Sequence, residues 1–463
     1  MDEFDVIVIG AGPAGENAAG RCADGGLDVV VVEAELVGGE CSYWGCMPSK
    51  VLIRPGDVLA SAAHTPGAKD AGAVPIDVAA TFARRDAMTG NWDDSGQIPW
   101  LDEKDVTLVR GRARLTGPRQ VEVTAADGAT RALAATKAVV LATGTRAAMP
   151  PIPGLVEASP WDNRDVTGMH EVPARVIVLG GGAIGAEMAQ ALHRLGADEV
   201  TVVEGFERML GREEPTAGEH VRAAFEREGI TVKTGAKVIE VRRPEAGGTV
   251  TVVLEDGSEL AGDELLVAVG RAPATGDLGL DIIGLEPGGP VAVDDRLRAT
   301  GVDGTWLYAV GDCNGRSLLT HMGKYQARVA ADVILGRDAR DEADTKAVSR
   351  VTFTDPQVAA VGLTEAQARE QDIDVHVLTY DLADIAGTSV RGQGLEGTAV
   401  LIVDDARRVI VGATFVGADV QEMVHAATVA IVGEVTLDAL WHAVPVFPTV
   451  SEVWLRLLEA YGL

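Results

Sequence analysis

Two cysteines, Cys41 and Cys46, stand in the run Gly38-Gly39-Glu40-Cys41-Ser42-Tyr43-Trp44-Gly45-Cys46-Met47-Pro48-Ser49-Lys50. One helical turn and a bend bring thiols at this spacing within reach of a disulfide, which needs Cα atoms about 4.4–6.8 Å apart. The residue types allow a redox-active pair, half of a metal site, or two buried structural thiols. No second Cys/His pair stands at metal-ligand spacing, which counts against zinc, and no metal is expected. The remaining cysteines, Cys22 and Cys313, bring the total to four. That is too few for a disulfide scaffold, and in a long chain a close pair points to redox chemistry. Cys22 falls within a helical stretch and reads as core; Cys313 reads as a packed lone thiol.

A second chemistry is written in glycine. Val6-Ile7-Val8-Ile9 is a continuous apolar run of the kind that forms a buried parallel strand. Gly10-Ala11-Gly12-Pro13-Ala14-Gly15 follows, then a helix over residues 13–24 and a strand Val29 to Val32 that ends at Glu33. Strand, Gly-x-Gly-x-x-Gly, helix, strand and acid appear in the order a dinucleotide site requires. Gly10 permits the turn, Gly12 lets backbone approach a pyrophosphate, and Gly15 allows close helix–strand packing. The helix N-terminus offers N–H groups to the phosphates, and Glu33 offers acceptors to the adenosine ribose.

The pattern recurs downstream. Val176-Ile177-Val178-Leu179 leads into Gly180-Gly181-Gly182-Ala183-Ile184-Gly185, a helix to about Leu195, and a strand Val200 to Val203 ending at Glu204. Glycine to acid spans 23 positions in the first unit (10 to 33) and 24 in the second (180 to 204). One such match is weak; two in full context are not. A carboxylate at Glu204 favours a free ribose 2′-hydroxyl and repels a 2′-phosphate. NADH is therefore expected at the second unit, with NADP(H) the alternative because Arg208 and Arg212 follow.

The chain of 463 residues is too long for one core and suits two to four domains. Its 47% hydrophobic and 24% charged residues are those of a globular protein. A net charge of -29 repels phosphate, which argues against nucleic acid and anionic membrane surfaces. The start, Met1-Asp2-Glu3-Phe4-Asp5, is acidic where a signal peptide is basic, and no apolar run approaches the ~20 residues of a membrane span. A cytoplasmic protein without membrane insertion is expected.

The cysteine segment resembles the active-site signature of the flavoprotein pyridine nucleotide-disulfide oxidoreductases, the family of dihydrolipoyl dehydrogenase, glutathione reductase and mercuric reductase. The likeness extends along the whole chain. Ala142-Thr143-Gly144 resembles the family's exit from the FAD domain and Gly270-Arg271-Ala272-Pro273 its return from the NAD domain. Leu307-Tyr308-Ala309-Val310-Gly311-Asp312 resembles the second FAD motif, whose aspartate holds the ribitol chain, and Leu319-Thr320-His321 the start of a helix aimed at the flavin.

The resemblance implies FAD on Gly10, Gly12, Pro13, Ala14, Gly15, Glu33, Gly39, Lys50, Thr143, Gly144, Gly311, Asp312 and His321. It implies NAD(H) on Gly180, Gly182, Ile184, Gly185, Glu187, Glu204 and Gly270. Cys46 would exchange electrons with the flavin, and Cys41 would attack an outside disulfide as a thiolate. Lys50 and Glu187 would pair beside the flavin, although a carboxylate at position 187 is also favoured by the dipole of its own helix.

One departure matters. Where the family carries His-Pro-Thr-x-x-Glu, donated across a dimer, this chain reads Phe447-Pro448-Thr449-Val450-Ser451-Glu452. Glu452 remains, but Phe447 can neither give nor take a proton, and His442 does not align. Losing a positioned acid/base costs about 10²–10⁴-fold in rate. Glu40, where relatives usually have threonine, is expected to add a negative charge beside Cys41 and disfavour its thiolate. Mercuric reductase lacks this histidine too, but it carries paired C-terminal cysteines that are absent here.

Three readings remain open: NADH-driven reduction of a small-molecule disulfide, direct transfer from the flavin to a quinone, or a flavin-bound sensor with little turnover. Dihydrolipoyl dehydrogenase is a special case of the first; a transhydrogenase would usually lack one cysteine.

The expected fold is α/β, with two Rossmann-like dinucleotide-binding domains and a C-terminal α+β interface domain. The FAD domain is expected at 1–153 and 271–345, the NAD domain at 154–270 and the interface domain at 346–463. Short alternating runs at Arg350 to Phe353, Val358 to Val361 and Val409 to Phe415, followed by a helix near 419–432, suit an antiparallel sheet with helices on one face. A domain that donates residues across a two-fold axis implies a homodimer. The segment 84–105, with Trp92 and Trp100, suits either a cleft wall or a cover over the first domain.

Overall fold

The computed structural model describes all 463 residues. Its chain divides into two compact units, the first built from residues 1–48, 85–147 and 271–345, the second from 49–84, 148–270 and 346–463.

The first unit is organised by a seven-stranded sheet. Asp2–Ile9 lies at its centre between Val29–Glu33 and Thr130–Leu141, parallel to both, with Val6 opposite Val29 on one side and Ala138 on the other. Val106–Arg110 extends the sheet beyond Val29–Glu33, and Leu307–Ala309 pairs parallel with the end of Thr130–Leu141. Arg112–Gly117 and Gln120–Thr124 complete it as an antiparallel meander. The apolar run at the start of the chain serves both faces. Val6 and Val8 join one hydrophobic cluster with Val29, Val31 and Ala327, while Ile7 and Ile9 join another with Val30, Val32 and Leu141. Each such side chain contributes about 1.5–3 kcal/mol by leaving water, which is why the buried stretch from Val6 to Ile9 carries no polar residue.

The segment containing Trp92 and Trp100 belongs to this unit. Trp100 packs into the cluster around Val6, against Gly20 of the Pro13–Asp24 helix, where an added Cβ would meet the indole at 2.9 Å.

In the second unit a four-stranded parallel sheet runs Thr231–Lys233, Glu199–Val203, Arg175–Leu179, Glu264–Val267. A three-stranded antiparallel meander over Val238–Arg242, Val250–Leu254 and Glu259–Gly262 accompanies it. The same unit holds a five-stranded antiparallel sheet in the order Ser349–Thr352, Gln357–Gly362, Val409–Gly417, Thr398–Asp404, Val375–Asp381. Helices Val424–Val432 and Val453–Tyr461 bury Ala427, Ile431, Val453 and Leu457 against Leu401, Ala413 and Phe415 on one face. This is the expected α/β plus α+β architecture. The helix anticipated over 419–432 is shorter: Asp419 adopts φ 56°, a 3-10 turn spans Val420–Glu422, and the α-helix begins at Val424.

Both glycine turns are sterically closed. Gly10 and Gly180 have φ of 101° and 108°, where an L side chain is strained. A Cβ on Gly15 would lie 1.8 Å from the Gly10 carbonyl oxygen, and one on Gly185 would lie 1.9 Å from that of Gly180. Gly182 differs, since a Cβ there meets nothing within 4 Å. Gly185→Ala should therefore cost at least about 2–3 kcal/mol of stability. Gly182→Ala should leave the melting temperature nearly unchanged while weakening nucleotide binding. Thermal melts and nucleotide titrations of the two variants check this contrast.

Candidate active site

Cys41 sits in the short helix Gly39–Tyr43, and Cys46 opens the long helix Cys46–His64. The break between them is Trp44, at φ -136° and ψ 1°, whose N–H still donates to the Glu40 carbonyl at 2.9 Å. Gly45 then passes so close that a Cβ would lie 3.1 Å from the same carbonyl oxygen. The bend is held from outside as well: Tyr43 donates its hydroxyl to the Val37 carbonyl at 2.9 Å, and the Trp92 indole N–H donates to the Tyr43 carbonyl at 3.2 Å.

Both thiols are free, and their side chains are hydrogen-bonded to each other. Cys46 Sγ lies 3.2 Å from Thr320 Oγ1. The Cys41 thiol is pushed up from its usual range, first by the hydrogen bond to Cys46 and then by burial, with Thr320 and Lys324 acting in the opposite sense. Both remaining cysteines are buried, and burial holds the Cys22 thiol at about 12 and the Cys313 thiol at about 11, so neither competes as a nucleophile.

The expected effect of Glu40 requires correction. Its carboxylate faces the Arg271 guanidinium at 3.3 Å, with both side chains largely buried. Arg271 also donates to Thr145 Oγ1 and to the Thr145 carbonyl, each at 2.9 Å. Thr145 in turn donates its hydroxyl to Asp312 at 2.9 Å. The charge beside Cys41 is thus neutralised by a residue 231 positions away, which no local reading of the sequence reveals. Burial raises the Asp312 carboxyl, while Thr145 and Arg271 hold it down.

Glu33 and Glu204 occupy equivalent places, each at the end of a strand that pairs parallel with the one before the glycine turn. Glu33 accepts from the backbone N–H of Ala11 and of Glu35, both at 2.7 Å. Glu204 accepts from Gly181 at 2.7 Å and from Phe206 at 2.8 Å. A carboxylate has about four acceptor positions, so each retains capacity for ribose hydroxyls. Arg208 is turned away from such a task, donating to the carbonyls of Gly211 and Glu213 at 2.9 and 3.1 Å.

In the second unit Lys50 donates to Glu187 at 2.7 Å, and the other Glu187 oxygen accepts from the Phe353 N–H at 2.9 Å. Glu187 is buried, so removing its lysine would strand a carboxylate at a cost of up to about 3–5 kcal/mol. Near the C-terminus Phe447 is 71% exposed, while Glu452 is buried. Glu452 Oε1 accepts from Arg456 at 2.6 Å, but its Oε2 is buried with no partner.

A family described as pyridine nucleotide-disulphide oxidoreductase matches residues 4–331, and its dimerisation domain matches residues 348–457. The chain belongs to this family. It is 36% identical to a dihydrolipoyl dehydrogenase of Chlorobaculum tepidum, over 97% of this chain and 95% of that one. It is 29% identical to a mercuric reductase of Staphylococcus aureus, over 97% of this chain and 81% of the relative. Among solved structures, the Cu(II) complex of the HOCl-induced flavoprotein disulfide reductase RclA of Escherichia coli superposes with a TM-score of 0.86 at 26% identity, covering 99% of this chain and 100% of that one. The protein is accordingly an FAD- and NAD(P)H-dependent oxidoreductase with the family's dimerisation domain. No helix is long and apolar enough to cross a membrane.

The first unit fits FAD. Thr143 Oγ1 is buried without a partner beside Gly144 at φ 68°. Gly12 and Gly39 face each other so closely that a Cβ on Gly39 would lie 2.7 Å from the Gly12 Cα. Gly311, at φ 73°, would press a Cβ to 3.1 Å from the Ala14 side chain. His321 is exposed one residue into its helix. Thr145, Arg271, Thr320 and Lys324 were not singled out by sequence as site residues; the usable signal was the one-turn spacing of Thr320 and Lys324.

Behind Asp312 lies a buried acid pair. Gln326 accepts from the Gly311 N–H at 2.7 Å and donates to Asp344 at 2.6 Å; Asp344 donates its N–H to Asp341 at 3.2 Å. Burial, reinforced by Asp344, pushes the Asp341 carboxyl up to about 7. The native state therefore binds this proton more tightly than the unfolded chain. Its contribution to stability is full below about pH 4 and lost as pH rises towards 7. Asp344→Asn removes the like charge and should raise the denaturation midpoint at pH 8 more than at pH 5; urea melts at the two pH values measure it.

Proposed function

We propose that the protein is an NADH-dependent disulfide reductase in which electrons leave through Cys41 to a small-molecule disulfide. The observation that carries this reading is the hydrogen-bonded pair of free thiols, with Cys46 held by Thr320 at 3.2 Å. Bound FAD would supply an acceptor for hydride from NADH and a two-electron donor for the Cys41–Cys46 disulfide. In this reading the residues named for each cofactor above divide the work. Glu33, Asp312 and the turn from Gly10 to Gly15 hold the flavin nucleotide. Glu204 and the turn from Gly180 to Gly185 hold NADH, and the Lys50–Glu187 pair serves the flavin, where the lysine charge stabilises the reduced, anionic ring.

Cys41, as a thiolate, attacks one sulfur of the acceptor and releases the other as a thiolate. Cys46 then attacks Cys41, frees the second acceptor sulfur and restores the disulfide. Glu204 excludes a 2′-phosphate, and Arg208 is committed to backbone carbonyls. Preference for NADH over NADPH in kcat/KM is expected to be about tenfold or more.

A second reading, direct reduction of a quinone, is favoured by one feature. Phe447 offers no proton, and Glu452 Oε2 lacks the partner a histidine would give. Anaerobic reduction by NADH followed by a panel of disulfides and quinones separates the two. Turnover of quinones with no turnover of any disulfide would refute the thiol route. Phe447→His should raise disulfide reduction by about tenfold or more, within the range a positioned acid/base supplies, and leave quinone reduction unchanged. Equal effects on both activities would show that position 447 does not govern the acceptor.

A further inference from the structure

The segment that carries Trp92 contains a strained turn. Gly90, Asn91 and Trp92 stand in succession at φ of 59°, 54° and 58°, the left-handed region that residues other than glycine rarely adopt. Two such residues in a row persist only where their surroundings over-determine them. Here the surroundings do. Trp92 and Asp93 donate their N–H groups to the carbonyls of Thr89 and Gly90 at 3.0 and 3.1 Å. Thr89, itself buried, donates its hydroxyl to the Asp86 carbonyl at 3.1 Å. The fully buried Arg85 guanidinium pairs with Asp86 at 2.7 Å and lies over the indole, 5.5 Å from the ring centroid.

What the turn delivers is the indole N–H, which donates at 3.2 Å to the carbonyl of Tyr43, between the two cysteines. Two residues on, Asp94 accepts the Val37 N–H at 2.7 Å. Arg110 holds Asp94 at 2.5 Å and donates its other terminal nitrogen to the Glu35 carbonyl at 2.9 Å. Trp92 and Asp94 therefore grip the stretch 37–43 at both ends, on either side of Cys41. Beyond the fixed Tyr43 the chain turns back so tightly that a Cβ on Gly45 would lie 3.5 Å from the Cys41 Cα, and Cys46 follows at once. We propose that Trp92 and Asp94 are positioning residues that hold this bend in the shape in which Cys41 and Cys46 close to a disulfide, and so set the reduction equilibrium of the pair. The proposal rests on the thiol route above and deepens it. A thiol held beside its partner has a higher effective concentration than one on a loose loop, and returns to the disulfide more readily. Neither Trp92 nor Asp94 gives or takes an electron; both act through the loop.

The test is the anaerobic equilibrium of the FAD-loaded enzyme with mixtures of reduced and oxidised dithiothreitol. The Cys41–Cys46 bond breaks to two thiols while dithiothreitol gives up two electrons and two protons and closes to its cyclic disulfide. Acid quenching, alkylation and mass mapping of the two cysteine peptides give the fraction reduced. Trp92→Phe keeps a ring beside Arg85 but removes the N–H. It should make the disulfide about three- to tenfold easier to reduce, the effect of one lost hydrogen bond. Asp94→Ala, which frees the other end of the stretch, should move the constant in the same direction. A role confined to stability would lower the melting temperature and leave the constant where it was. That result, or a disulfide harder to reduce, overturns the proposal. Should one variant fail to fold, the other carries the test alone. Absence of any Cys41–Cys46 disulfide in the wild-type enzyme would refute the thiol route and this proposal with it; a normal disulfide with an unmoved constant refutes this proposal alone.

Discussion

In each parallel sheet a carboxylate at the end of the second strand accepts, at 2.7 Å, a backbone N–H from the glycine turn that follows the first: Glu33 from Ala11 and Glu204 from Gly181. The rest of the nucleotide-binding geometry depends on this bond. It fixes the turn against the neighbouring strand, so the helix behind it must start where its N–H groups face the pyrophosphate. It also orients the carboxylate, leaving its other lone pairs for the ribose. A single charge-assisted bond of this kind is worth about 1.5–3 kcal/mol, and here it organises the fold and the ligand site together.

The same economy governs the thiols. Cys41 and Cys46 meet because a five-residue helix stops at Trp44 and a new helix begins two residues later. Gly45 makes that stop possible by passing close to the Glu40 carbonyl. Glu40 itself is drawn towards Arg271, and through Thr145 the chain of bonds reaches Asp312. The loop carrying the interchange thiol is thus tied to the carboxylate of the second flavin motif through a chain of polar contacts.

What could be read from sequence follows from how local the causes are. The two strand–turn–helix–strand units were legible because an apolar run, three glycines and an acid lie within about 25 residues, and sterics at Gly10 and Gly15 leave little choice of conformation. The antiparallel sheet was legible from alternation, but not its helix boundary, because the left-handed residue there is Asp419 rather than a glycine. Glu40 was misread for a different reason. Its neutralising partner is distant in sequence, and a charge next to a thiol says nothing about a guanidinium that only folding delivers.

The absence of the C-terminal histidine removes both a charge and a proton donor from the chemistry of the thiols. A histidine would serve the thiolate and the leaving sulfur in turn, and it would also satisfy Glu452, whose Oε2 is now buried without a partner. With phenylalanine at that position, no imidazole stands ready to protonate the leaving sulfur. The arrangement therefore favours acceptors whose leaving thiols are acidic enough to depart as anions. Disulfides of low-pKa thiols suit such a site, and those of ordinary alkyl thiols do not.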